Sequence, residues 1–200
     1  MKELQGKKPI GLAVTLVILV MSIMLNIVFV TKNIGYKQQI QVTTGKQIVA
    51  ELDALYVKSE QLKGLLEQLQ QQYHQDSPSY SLLQKYAANE LEQLSKQMSE
   101  LFRLTVSIND QHFSEQAKRG EAKALEELAG QLEALMVGDG DGEEYISLVR
   151  QANETVNQIY DIVSGFNFKA VLDVKSAMIR MSNGFIWPET VLELDKAVNG

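Results

Sequence analysis

The strongest constraint in this sequence is an uninterrupted apolar stretch, Ile10 to Val30, which contains no charged residue over 21 positions. As a helix it would extend roughly 30 Å, the thickness of the hydrocarbon core of a bilayer. The alternative is a cleaved signal peptide, which has a shorter apolar core and small residues at its cleavage site. The bulky sequence Val28-Phe29-Val30 does not suit cleavage. We therefore predict an uncleaved transmembrane helix over residues 10–30.

The distribution of lysines around this stretch predicts its orientation. Three lysines precede it closely and three follow it at wider spacing: Lys2, Lys7, Lys8, then Lys32, Lys37, Lys46. The denser cluster should stay on the cytoplasmic side. We therefore predict a short cytoplasmic tail at 1–9 and an extracytoplasmic domain in a single-pass cell-membrane protein. If the topology is reversed, the domain would instead be a cytoplasmic coiled-coil scaffold.

Composition argues against several classes of function. The chain has no cysteine, so disulfides, thiolate metal sites and cysteine nucleophiles are impossible, and a bacterial envelope suits such an exported domain. The two histidines, His74 and His112, do not form a metal-ligand motif, and no phosphate-binding or nucleophile-elbow motif is present. Residues 31–200 carry a net charge of −8, which disfavours nucleic acid as a partner. We predict no catalytic residue, metal ligand or cofactor.

The remaining sequence predicts an all-α fold. From Ile34 to Tyr73 we expect one helix continuous with the membrane span, since apolar residues recur at heptad spacing: Ile48, Leu52, Leu55, Leu62, Leu66, Leu69, Tyr73. Ser77-Pro78 predicts the start of a second helix, which ends near Ile108. Third and fourth helices are expected over about 110–137 and 143–164. We predict an antiparallel bundle of about four long helices at 31–165, with an irregular helical tail at 166–200.

Three local features have competing interpretations. Gly45 follows two threonines and is either a swivel or an ordinary helical glycine, and Arg119-Gly120-Glu121 could kink the third helix. The acidic loop 139–143 resembles the opening of a calcium loop, but Arg150 stands where such a loop needs a bidentate acid. We interpret it as a solvated turn.

The best candidate for a binding site is an apolar cluster in the tail. Phe185, Ile186 and Trp187 are predicted to contact a partner, because aromatic residues often anchor interfaces. The alternative is that Trp187 closes the open end of the bundle as a core residue.

Together these features predict a membrane-anchored, non-enzymatic helical-bundle module for protein–protein or cell-envelope interaction. Its partners would be the membrane itself and either another protein or a second copy of the chain. The alternative is a sensor whose bundle binds a small ligand. The arrangement resembles bacterial single-pass anchors with an extracytoplasmic bundle, such as the sensing domains of chemoreceptors. Those receptors have a second membrane helix, and nothing after Val30 is apolar enough to form one.

Overall fold

The computed structural model describes residues 10–72, 78–137, 142–172 and 174–200. Every regular element in these ranges is an α-helix, which confirms the predicted all-α class. In chain order the helices are α1 (Ile10–Gln71), α2 (Pro78–Val106), α3 (Glu115–Lys118), α4 (Lys123–Val137), α5 (Gly142–Ser164), α6 (Phe168–Val171), α7 (Lys175–Ser182) and α8 (Pro188–Asn199). The predicted features at residues 1–9, Tyr73, His74, Ser77 and 138–141 lie outside the described residues.

Helix α1 begins in the apolar stretch and continues without a break to Gln71, as the sequence predicts. The large apolar side chains from Val14 to Val30 are all at least 46% exposed. Two hydroxyl groups in this part, those of Thr15 and Thr31, donate to carbonyl oxygens four residues earlier. These bonds satisfy both hydroxyl protons within the helix itself. Among the described residues, only this helix is long and apolar enough to cross a membrane.

The chain divides into two compact units, residues 1–40 and residues 41–200, and the second unit contains the core. The heptad residues of α1 from Ile48 to Leu69 are at most 1% exposed, so the predicted seam is confirmed. Ser59 occupies the seam position without an apolar side chain, and its hydroxyl donates to the carbonyl of Tyr56. Lys58 pairs with the buried Glu90 at 2.7 Å, which links α1 to α2.

The predicted third helix is divided into α3 and α4. At the break, Gly120 has φ +72°, and the amide of Glu121 donates to the carbonyl of Gln116. This left-handed glycine ends α3 because it turns the backbone out of the helix. Residues 104–108 are rich in β-branched side chains, which favour strands, but they form the last turn of α2 and the turn that follows it. Thr105 lies in the last turn of α2, where its hydroxyl donates to the carbonyl of Leu101 at 2.7 Å.

The C-terminal helices complete the core. Helix α8 buries Val191, Leu194 and Val198 and packs against α3, α4 and α5. Helix α7 packs directly on α1 at Gly45, where an added Cβ would lie 2.7 Å from the carbonyl carbon of Met178. Gly45 lies within a continuous helix, as one of the two interpretations of the sequence held. The structure adds that this position is buried and leaves room for the backbone of a second helix.

Candidate interaction surfaces

The predicted apolar cluster lies on the turn between α7 and α8. The carbonyl of Arg180 accepts hydrogen bonds from the amides of Asn183 and Phe185, and the carbonyl of Met181 accepts one from Gly184. Gly184 and Ile186 both have positive φ values, +74° and +78°. The turn is therefore held in one conformation by backbone hydrogen bonds.

This conformation separates the three predicted contact residues. Trp187 is fully buried: it stacks on Phe113 with ring centroids 6.4 Å apart, and its Nε1–H donates to the carbonyl of Met181 at 2.7 Å. Phe185 and Ile186 remain 58% and 39% exposed. Trp187 is thus a core residue that supports the turn, and only Phe185 and Ile186 are accessible to a partner.

Other exposed apolar and basic side chains lie close to Phe185 and Ile186 in the sequence. Two further apolar side chains, Leu172 and Val174, are exposed just before α7. The same segment exposes three basic residues, Lys169, Lys175 and Arg180, and none of these forms an ion pair with a described residue. We call this the basic–apolar segment, residues 168–186.

A second surface is a groove between α2 and α4. These two helices make the most extensive contacts in the bundle. They run antiparallel, since early residues of α2 meet late residues of α4. One cavity of about 700 Å³ is lined by Lys85, Ala88, Asn89, Glu92, Glu126, Ala129, Gly130 and Glu133. A cavity of about 490 Å³ shares Glu92 and Glu126 with it and continues toward Arg103 and Gly120.

Small side chains explain why α2 and α4 approach closely. Ala88, Ser95 and Ser99 recur along α2 at spacings of seven and four, and Ala122, directly before α4, is followed seven residues later by Ala129 within it. All five are less than 9% exposed. Short side chains leave a shallow trough between the longer residues on either side. This spacing is visible in the sequence, but it does not by itself indicate which helix packs against these small side chains.

The wider cavity is acidic. Glu92, Glu126 and Glu133 line it against one cation, Lys85, so its formal charge is −2. Glu92 is paired with Lys96 at 2.6 Å. The hydroxyl of Ser95 donates to Glu126 at 3.4 Å, which is a weak bond. Of the three glutamates, Glu126 and Glu133 form no ion pair with a described residue and can receive a basic group.

One polar cluster brings together residue types that occur in hydrolases. A depression of about 400 Å³ is lined by His112, Ser114, Asp195 and Asn199, among others. The buried Asp195 accepts hydrogen bonds from the amide and the hydroxyl of Ser114, at 2.7 and 2.6 Å, and from the side-chain amide of Asn199. The Ser114 hydroxyl also accepts from the amide of Ala117, as the N-cap of α3.

These bonds give the cluster a structural role. Asn199 additionally donates to the carbonyl of Glu121 and accepts from the amide of Lys123, so it joins the end of α8 to the α3–α4 connection. The hydroxyl proton of Ser114 is directed at a carboxylate rather than at a histidine, unlike that of an activated serine nucleophile. Among the described residues no cluster of histidine and carboxylate side chains has the geometry of a metal site.

No protein-family model matches this chain, and no curated protein or solved structure shows significant similarity to it.

Proposed function

We propose that this protein is a membrane-anchored, non-enzymatic module whose helical bundle binds a protein partner outside the cytoplasm. The apolar part of α1 supplies the anchor, and the α2–α4 groove receives a helical segment of the partner that carries lysine or arginine. The sequence offered the α7–α8 turn as the contact, but burial of Trp187 reduces that turn to two accessible apolar side chains.

The groove suits a helix for geometric reasons. From Lys85 to Arg103 it follows about five turns of α2, roughly 27 Å along the helix axis. Its two cavities share Glu92 and Glu126, so the groove is elongated, whereas a site for a small molecule encloses most of its ligand. A helix laid in a groove is a common mode of peptide recognition. The charge of −2 in the wider cavity favours a basic occupant.

The position of Gly130 gives the strongest support for binding of a helix in this groove. This residue lies inside α4, where glycine costs about 1 kcal/mol relative to alanine. An added Cβ would meet no atom within 4 Å, so packing inside the bundle does not require a glycine. Gly130 lines the groove, and its missing side chain leaves space for the backbone of another helix.

Gly64 provides a matched control. It is also an interior helical glycine with no atom within 4 Å of an added Cβ, but it lies on α1 and does not line the groove. A photo-crosslinking amino acid placed at Asn89, an exposed residue that also lines the groove, should give one discrete adduct in the cells that make this protein. Gly130→Leu fills the space left for the partner helix and should abolish this adduct, whereas Gly64→Leu should not. Charge reversal at Glu126 and Glu133 should also abolish it, while the helical circular dichroism signal stays unchanged.

An adduct that persists in the Gly130→Leu variant, or one that is insensitive to charge reversal, would refute the groove as the binding site. A separate experiment tests the topology. The chain has no cysteine of its own, so a single introduced cysteine can be labelled without background. A single cysteine replacing the exposed Ser147 should react with a membrane-impermeant maleimide in intact cells. Reaction only after lysis would reverse the topology and favour a cytoplasmic scaffold.

A further inference from the structure

The basic–apolar segment concentrates the exposed apolar surface of the bundle. Outside α1, six large apolar side chains among the described residues are exposed, and four of them lie within residues 172–186: Leu172, Val174, Phe185, Ile186. Scattered single residues of this kind are normal on a protein surface, but a cluster indicates a contact with another apolar phase.

The charge of this segment is opposite to that of the domain. Residues 168–186 contain three basic residues and one acidic residue, a net charge of +2, whereas residues 31–200 carry −8. The three cations extend from exposed positions and make no ion pair with a described residue. Exposed apolar side chains interspersed with exposed basic residues are typical of a surface that lies on anionic lipid.

The backbone conformation of Ile186 indicates that an apolar side chain is needed at this position. A β-branched residue at φ +78° is a genuine outlier, whereas glycine or asparagine adopts this conformation readily. The strained position carries a partly exposed isoleucine instead. Strain of this kind is commonly retained where a side chain is needed for a contact.

The segment packs on the part of α1 that closely follows the apolar stretch in sequence. The side-chain amide of Gln41 donates to Asn183 at 3.0 Å, and Gly45 contacts the backbone of Met178. Gln41 follows Val30, the end of the apolar stretch, by eleven residues. Even a fully extended chain of that length spans only about 40 Å.

We propose that the basic–apolar segment binds the anionic headgroups of the membrane in which α1 is anchored. Lys169, Lys175 and Arg180 contact the phosphates, while Phe185 and Ile186 enter the boundary with the acyl chains. The inference rests on the membrane anchoring proposed above and is independent of the α2–α4 groove. The rest of the bundle is acidic and is repelled by an anionic surface. Only the face that carries the basic–apolar segment is therefore expected to contact the membrane.

The test uses the full chain in nanodiscs of phosphatidylcholine alone or with added phosphatidylglycerol. A nitroxide is attached to a single cysteine replacing Ser176, an exposed residue of α7, or Ser147 of α5 as the control position. Accessibility to oxygen, which partitions into lipid, is compared with accessibility to a water-soluble nickel chelate. With phosphatidylglycerol, the label at 176 should gain oxygen accessibility and lose nickel accessibility, and the label at 147 should not change.

Charge reversal of the three cations (K169E, K175E and R180E together) should remove this difference. Each basic residue near an anionic surface contributes roughly five-fold, so the ratio of docked to undocked protein should fall roughly 100-fold or more. Phe185→Ser should weaken docking in both lipid mixtures. Helical circular dichroism of each variant shows whether the bundle remains folded.

Three outcomes would overturn the inference. If the label at 176 behaves identically with and without phosphatidylglycerol, the segment does not recognise anionic lipid. If it loses access to both reagents, the segment is covered by protein. If the chain fails to co-elute with nanodiscs, the proposed anchoring is wrong and the docking with it, whereas co-elution without a change at 176 refutes the docking alone.

Discussion

Replacement of Trp187 by alanine tests whether this side chain is a core residue or a partner contact, the two interpretations that the sequence left open. The sequence offered Trp187 as a partner contact, but its ring is fully buried against Phe113. We therefore expect Trp187→Ala to reduce the stability of the bundle strongly, and to affect binding only by reducing the amount of folded protein.

The expected magnitude follows from two contributions. Removing a buried tryptophan side chain costs about 3–5 kcal/mol, because the cavity that it leaves collapses only partly. The carbonyl of Met181 also loses its 2.7 Å hydrogen bond from the indole, which adds about 1–3 kcal/mol if no water replaces it. The sum is comparable to the total stability of a typical domain, about 5–15 kcal/mol, so the variant should be largely unfolded or close to it.

The assay is urea denaturation of the full chain in a mild detergent, followed by circular dichroism at the helical minimum. Trp187→Phe is the informative intermediate: it keeps an aromatic ring on Phe113 but loses the indole N–H, so about 1–3 kcal/mol should be lost. Phe185→Ser on the same turn is the surface control and should change stability by less than about 1 kcal/mol. Trp187→Ala with a denaturation midpoint equal to that of the wild type would refute the core assignment.

Three further predictions concern stability. Gly45→Ala should destabilise the bundle by about 1–3 kcal/mol through overpacking against α7, whereas Gly64→Ala should stabilise it by about 1 kcal/mol, and urea midpoints distinguish the two. Ile186→Gly should raise the free energy of unfolding by up to about 1 kcal/mol because it relieves a strained φ, and a lower value would contradict strain at that position. Burial and the nearby Glu100 raise the pKa of Glu51. The folded chain therefore disfavours the ionised carboxylate, and the free energy of unfolding falls as the pH rises through the carboxyl range. Glu51→Gln should stabilise the bundle at neutral pH, but not at pH values below the ordinary carboxyl range, where Glu51 is protonated in both states.

Features that depend on local periodicity could be predicted from the sequence. A charge-free stretch from Ile10 to Val30 leaves few options, because in lipid only a helix of that length satisfies its own backbone. The heptad positions from Ile48 to Leu69 identified the buried side of α1, since side chains at that spacing share one face. Both are properties of neighbouring residues and need no knowledge of the rest of the chain.

The tertiary structure decided which residues cover these faces. Trp187 is buried because Phe113, 74 positions earlier, meets its ring, and Gly45 is required because the backbone of Met178 lies against it. Periodicity reports that a face is apolar but not which element packs there. The groove that contains Gly130 and the bonds of Asp195 arise from such distant pairings. They depend on how closely helices approach in three dimensions, a distance that is set jointly by side chains from separate parts of the chain.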